Sequence, residues 1–529
     1  MQSKTQERHQ IQLESAKEQK GGPETTPKRL KARRKTAKKL PSYRLRYIIS
    51  MCLLTTYSIG RFYINDYVPE LGPDFMKYFK ITPAQVQLFC AIYSFPAIVT
   101  ALLSGPIIAR FGASKVAAFG GFVIFLATSG YYLSVIQKDF RMLLDSQILF
   151  GVIGEVFAVS QNTLLTQTFD ENGQTIAFGI SQSLNTLFET ASNYLNPKIY
   201  AWTEDMPLVF LMGVIVTGFC FVASLLWLML DKIAGWGSLQ KNKDGTENQA
   251  GEVNEEEVDE LKDLKLSEKV KVWWSDLKDP LVALNVLMTS IAQYNYYQIM
   301  TYVTECMVRR FNLKLEQANK FVALMLFLTI PSSQIYSYLA VGIGRKPSML
   351  ILGCLFLTIF LLLFLLLPEN PNHNLFYITS FLFSQFYSIS TAIGFSCIGI
   401  VTPPRTVSVA YSLVSFINNF TFCILPFVVG MILKDNAPSG YQKVNFMVLM
   451  LSLVGLGMAI GVKVIDSRRG GLLALPEKKK ETKQFGGDDG QEGDGYALKR
   501  EFGTIGKVGY DDGATMSLQP TTLVEKSDE

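Results

Sequence analysis

The sequence predicts an all-α membrane protein whose twelve transmembrane helices form two six-helix bundles. Three observations carry that expectation. The 529 residues are 49% hydrophobic and 12% aromatic with a mean hydropathy of +0.21, too apolar for a water-soluble chain of this length. Apolar runs of about 20 residues, enough for a helix to cross a hydrocarbon core of roughly 30 Å, recur through the middle of the chain. Charged residues, 18% of the total, crowd between those runs and at the two ends.

The first six spans are expected near 45–66, 85–109, 115–136, 143–168, 174–200 and 207–230, making residues 45–230 the N-terminal bundle. The second six fall near 280–308, 317–341, 347–368, 373–401, 405–433 and 442–465, making 280–466 the C-terminal bundle. Between them lies a polar cytoplasmic linker, 231–279. Its segment EVNEEEVDELKDLKLSEKVKVWW reads either as an amphipathic helix on the membrane surface or as a solvated tether. Residues 1–44 and 467–529, charged and poor in apolar side chains, are expected to be disordered cytoplasmic tails.

The basic run PKRLKARRKTAKKLPSYRLR before the first span holds the N-terminus in the cytoplasm, and an even span count returns the C-terminus there. Arg110, Lys115, Arg345 and Lys346 fall on the same side, whereas Lys138, Arg141, Arg309 and Arg310 are exceptions. The net charge of +5 therefore describes membrane flanks able to touch anionic lipid, and no nucleic-acid partner is expected. Residues 1–44 contain no apolar signal-peptide core, so the first span is expected to direct insertion. Seven cysteines without metal-type spacing, two histidines and no nucleotide-binding or hydrolase motif leave no expectation of an enzyme, a cofactor or a metal centre.

Glu155, in FGVIGEVFAVSQNTLL, is the most informative residue. A carboxylate at the centre of a spanning helix costs about 2.5–3.5 kcal/mol on insertion scales, so such groups face a cavity or a partner. Asn162 lies on the same face two turns on, and Gly151 and Gly154 let another backbone come close. The stripe lines a solute cavity or clamps a neighbouring helix. In the fifth span Ser181, Asn185, Glu189, Ser192 and Asn196 form a polar face that must point inward or at another helix.

The seventh span repeats the pattern with Asn295, Gln298, Tyr302 and Glu305 among Tyr294, Tyr296 and Tyr297. Aromatics interleaved with amides suit a small polar solute with apolar parts, or an aromatic belt at the interface. Gln385 in the tenth span and Asn418 and Asn419 in the eleventh add mid-span amides. Arg61, Asn65 and Asp66 end the first span, where snorkelling to the interface competes with solute contact.

Two loops resemble each other at half-chain spacing: GPIIARFGASK from Gly105 and SYLAVGIGRK from Ser337, each between the second and third spans of its half. Such parallel repeats around a central site are a transporter arrangement. These loops are similar to the cytoplasmic loops of the major facilitator superfamily, and that resemblance implies Gly105, Arg110 and Gly112 in one copy and Gly344 and Arg345 in the other as the expected gating residues.

These loops and the string around Glu155 resemble the major facilitator superfamily over about residues 45–468. Alanine stands at 109 where the family loop carries aspartate, and Val341 and Gly342 occupy the Asp-Arg positions of the second copy. The strings FGVIGEVFAVSQNT, AYSLVSFINN with VGMIL, and RRGGLL resemble the lysosomal dipeptide uniporter branch. The resemblance implies uniport of short peptides or amino acids by alternating access, with Glu155 as a pocket acid. It also implies a lysosomal or other endomembrane location and a glycosylated accessory subunit. The arginines it places at 147 and 186 are Gln147 and Thr186 here. Arg61 is the basic residue placed to replace them. A desolvated carboxylate can also take up a proton near neutrality, which keeps a proton-coupled carrier of another solute as the alternative beside a non-transporting sensor or assembly subunit.

Overall fold

The computed structural model describes residues 43–65, 67–234, 264–368, 371–433 and 437–474; both expected tails and the acidic start of the linker lie almost wholly outside them. Every described element is a helix. In the first half these are α1 (Tyr43–Thr56), α2 (Ile59–Asn65), α3 (Tyr67–Phe79), α4 (Pro83–Phe111), α5 (Ala113–Gln137), α6 (Phe140–Thr168), α7 (Glu171–Thr203) and α8 (Met206–Ala234). A linker helix α9 (Leu266–Leu277) leads into α10 (Pro280–Arg309), α11 (Leu315–Ile343), α12 (Lys346–Leu366), α13 (Asn374–Val401), α14 (Val407–Leu433) and α15 (Ala437–Arg468).

Local chemistry sets the boundaries. Asp139, Asp170 and Asp279 sit just before α6, α7 and α10, and each carboxylate accepts from backbone N–H groups of the first turn, at 2.9, 3.0 and 2.8 Å. Gly112, at φ 87°, turns the chain from α4 into α5, and Gly344, at φ 72°, closes α11 before α12. Arg310 is buried because its guanidinium donates to the Phe364, Leu365 and Leu367 carbonyls at the end of α12, at 2.6–3.3 Å. A cation is stabilised at that negative end of a helix, which explains one exception to the charge rule.

Among the described residues nine helices are long and apolar enough to cross a membrane: α4, α5, α6, α8 and α11 through α15. The rest of the expected twelve spans are α1 with α2, α7 and α10. The first is broken at Tyr57 and Ser58, and the other two have ample length, 33 and 30 residues, but polar faces. Those are the elements that carry Arg61, Asn185 with Glu189, and Asn295 with Gln298.

The sequence reading did not anticipate α3. Leu71, Phe75 and Phe79 are buried one turn apart along it, with Phe75 stacked on Phe210 of α8 at 6.4 Å and Phe79 edge-on to Phe140 of α6 at 6.2 Å. It is a short cap packed across one end of the bundle. The opposite end, where α1 begins and α15 finishes, is called the terminal face below.

Candidate functional site

The break between α1 and α2 leaves backbone and side-chain groups that α7 satisfies. Ser58 Oγ donates to Asn185 Oδ1 at 2.9 Å. Ser192 Oγ donates to the Tyr63 carbonyl at 2.6 Å, the Tyr63 hydroxyl donates to Asn196 Oδ1 at 3.0 Å, and Asn196 Nδ2 donates to Ser192 Oγ at 2.7 Å. Ser181 accepts from Gln161 Nε2 at 3.0 Å, and the same amide reaches the Leu54 carbonyl. The polar stripe of α7 is thus the seat of the broken helix. Glu189, between these groups, is half-buried and within electrostatic range of Tyr296 and Tyr387.

The seat delivers Arg61 to the interior. Gly60 brings α2 against Thr217 of α8, where a Cβ would stand 2.9 Å from the threonine methyl. Arg61 Nη2 then donates to Glu155 Oε1 at 2.5 Å and to the Tyr93 hydroxyl at 3.1 Å. Tyr93 itself donates to Glu155 Oε1 at 2.9 Å. The second carboxylate oxygen accepts from Ser415 Oγ of α14. Both Glu155 oxygens are engaged, and the acid, carried on α6, is held from α2, α4 and α14, so from both halves.

Two glycines make room for this. A Cβ on Gly151 would lie 2.5 Å from the Tyr93 carbonyl, and one on Gly154 would lie 3.0 Å from the Tyr93 hydroxyl. The side chain of Glu155 is 7% exposed and that of Arg61 18%, so the pair is almost entirely out of solvent. A buried charge persists only when paired and hydrogen-bonded, and this geometry meets both conditions.

The positions where the family resemblance places arginines hold neutral side chains with neutral partners. Gln147 accepts from Tyr131, and Thr186, fully buried, accepts from Gln182 Nε2 at 2.9 Å.

The other expected site residues are dispersed. Tyr294 donates to Gln298 Oε1 at 3.3 Å inside α10. Tyr296 is core, stacked on Tyr387 at 3.6 Å, whereas Tyr297 is 38% exposed, 5.9 Å from Phe422 and within electrostatic range of Arg61. Gln385 ties α13 to α11 through Ser332 Oγ at 3.0 Å. Asn162 is half-buried, and its carbonyl accepts from Thr166. Oδ1 of Asn418 and Oδ1 of Asn295 are buried with no hydrogen-bond partner among the described residues. Asp66 and the Asn65 side chain lie outside those residues.

On the terminal face the halves are joined directly. Ser408 Oγ donates to the Gly105 carbonyl at 3.3 Å and Ser412 Oγ to the Ala101 carbonyl at 2.7 Å. Gly105 is required there, since a Cβ would meet Val409 Cα at 2.7 Å. Thr166 bonds Tyr411, Thr175 bonds Ser396, and Lys346 Nζ reaches the Glu171 carbonyl at 3.3 Å. Of the expected gating residues Gly105 lies in this seam, Gly112 and Gly344 form turns beside it, and Arg110 and Arg345 are exposed.

Sequence reasoning missed Tyr93 and Ser415. A single mid-span tyrosine gives no signal distinct from packing. Ser415 had one: Ser408, Ser412 and Ser415 are spaced four and three apart, a polar edge on one side of α14.

Two multi-helix halves, sealed together at one end, with a buried ion pair of the first half bonded by Ser415 of the second, have the architecture of a solute carrier. A family model described as Major Facilitator Superfamily matches residues 47–305 and 281–487. The chain belongs to that superfamily and is a multi-pass membrane transporter. It is 19% identical over 453 residues to the mouse protein named lysosomal dipeptide transporter MFSD1, covering 83% of this chain and 90% of that one. To the human protein of the same name it is 20% identical over 456 residues, 84% and 91% of the two chains. These relatives are transporters and not enzymes.

Solved structures of the same fold include the transporter FucP in the outward conformation, with a TM-score of 0.60 at 13% identity over 80% of this chain and 99% of that one. A bacterial homologue of the iron transporter ferroportin in an outward-facing state gives 0.61 at 14% identity, over 79% and 99%. The human organic anion transporter MFSD10 gives 0.55 at 10% identity, over 79% and 100%.

Proposed function

We propose that this transporter carries short peptides or amino acids by alternating access, as a uniporter, with Arg61 and Glu155 as its charge site. The observation that supports the reading is the Arg61–Glu155 pair, closed by Ser415 from the other half. A zwitterion entering the pair presents an ammonium to Glu155 and a carboxylate to Arg61, so every buried charge stays compensated while the internal bond is exchanged for two external ones. Displacing Ser415 from Glu155 would release α14, the helix that carries the seam at Ser408 and Ser412, and so link occupancy to opening. The relatives named as dipeptide transporters support the same solute class.

The seam belongs to the state closed on the terminal face. We place both chain ends in the cytoplasm and the protein in a lysosomal or other endomembrane, in company with a glycosylated accessory subunit, because the described relatives are lysosomal and the chain's one acceptor sequence, at Asn419, lies within α14. The test is counterflow in proteoliposomes against a panel of peptides and amino acids. Saturable exchange of zwitterions that Arg61→Gln abolishes is the expected result. Wild-type affinity in that variant overturns the assignment of Arg61, and no saturable exchange of any solute makes the chain a carrier-like sensor or assembly subunit. Flux that follows pH and collapses with an uncoupler replaces uniport by proton coupling.

A further inference from the structure

The linker helix α9 presents an edge whose purpose the transport site does not explain. Its inner side is fixed to the bundle: Trp273 is buried, and Asp276 is held by Arg405 at 2.9 and 3.0 Å and by the Thr406 hydroxyl at 2.5 Å. Asp279, just beyond the helix, pairs with Arg469 at 2.7 Å while capping α10. These contacts hold α9 against the roots of α10 and α14 and the end of α15, on the terminal face where the spanning helices leave the bilayer.

Next to that anchored side Leu266, Val270 and Trp274 follow one another at one-turn spacing and are 67%, 50% and 59% exposed. An apolar edge of this kind faces neither the core nor the body of the protein. Lys271 and Lys278 are exposed beside it, with the Lys278 ammonium 5.2 Å from the Trp274 ring. Asp276 and Asp279 are neutralised within the protein by Arg405 and Arg469, and the one exposed acid of α9, Glu268, accepts from the Lys265 N–H at the helix start, so that against the exposed Lys265, Lys271 and Lys278 the outward charge of this stretch is basic.

We propose that α9 is a bilayer-bound element: Leu266, Val270 and Trp274 insert at the headgroup boundary, and Lys271 and Lys278 select anionic lipid. A helix with an apolar edge, a tryptophan and flanking lysines is what the interface retains. The occupant is committed by position, since a multi-pass protein must have a lipid surface at the level where its spans begin. The proposal does not depend on which solute is carried.

The test uses the full chain reconstituted in phosphatidylcholine vesicles, with and without phosphatidylserine, containing lipid brominated near the headgroup. Tryptophan emission of the wild type is compared with that of Trp274→Phe. The expected result is a bromine-quenched component present in the wild type and lost in Trp274→Phe, shielded from aqueous iodide, and larger with phosphatidylserine. Lys271→Gln with Lys278→Gln removes the phosphatidylserine increment, each lysine being worth about fivefold in anionic-lipid preference. If the emission lost in Trp274→Phe is quenched by iodide and not by brominated lipid, the edge faces water and the proposal fails. It fails equally if quenching is the same with and without phosphatidylserine.

Discussion

Helices α7 and α10 carry the two long polar stripes of the molecule, one in each half, and they meet the cost of buried polarity in opposite ways. On α7, Asn185, Ser192 and Asn196 each have a named partner in the broken first span. On α10, Asn285 Oδ1, Thr289 Oγ1, Gln293 Nε2 and Asn295 Oδ1 are buried with no hydrogen-bond partner among the described residues. A buried group without a partner costs about 1–3 kcal/mol. The α7 stripe is therefore adhesive that positions Arg61, while the α10 stripe holds unmet capacity that another conformation, water or a solute would satisfy.

The largest effect falls where the α7 side delivers its charge. Arg61→Gln or Glu155→Gln strands the remaining charge in a nearly dry site, a loss of about 3–5 kcal/mol for a buried pair. Each single variant should melt far below the wild type in detergent and show no counterflow. The double variant, with no charge left to strand, should recover most of the stability and none of the zwitterion transport. Single variants as stable as the wild type would mean that the pair is solvated in the protein and that the α7 half is not the preorganised one.

A smaller effect belongs to the one bond that crosses between the halves at the acid. Ser415→Ala removes a hydrogen bond to a charged group, about 1.5–3 kcal/mol in such series. Because the bond joins α14 to α6, the change should appear chiefly in transport, as a shift of roughly tenfold in half-saturation, with modest loss of thermal stability. Ser412→Ala, which removes a hydroxyl donating to the Ala101 and Leu102 carbonyls, should leave half-saturation within about twofold and loosen the seam instead, read as faster labelling of a cysteine placed at Ser396. Equal transport effects from both serines would dissolve the distinction between the site and the seam.

Much of this was legible in the sequence. Hydrophobic runs located the spans because lipid demands length and apolarity. Glu155 announced itself by cost, and Arg61 by being the basic residue available once Gln147 and Thr186 replaced the expected arginines. What stayed hidden depended on rotation and partner. A periodic stripe reports that one face of α7 is polar without saying that α1 and α2 lie on it. Tyr93 carries the hydroxyl that meets Arg61 and Glu155 on a ring that packing also favours, and α3 was too short and too rich in proline, at Pro69 and Pro73, to resemble a span.

The smallest prediction separates the two stripes most cleanly, because its sign differs between them. Asn196→Ala on α7 removes a partner from the Tyr63 hydroxyl and from Ser192, leaving buried groups unmet, and should lower stability by about 1–2 kcal/mol. The partner experiment on α10 is Thr289→Val, a near-isosteric change that deletes the unpaired hydroxyl beside Gly394 of α13. Removing a polar atom that has no partner relieves a cost, so stability should hold or rise slightly, while transport falls severalfold if the hydroxyl is met by water or solute in another state. Thermal melting and counterflow on the same preparations give both readings. A loss of stability in Thr289→Val as large as that in Asn196→Ala would show that the hydroxyl is already bonded in the resting protein. The contrast between adhesive and unmet capacity would then give way to two stripes of one kind.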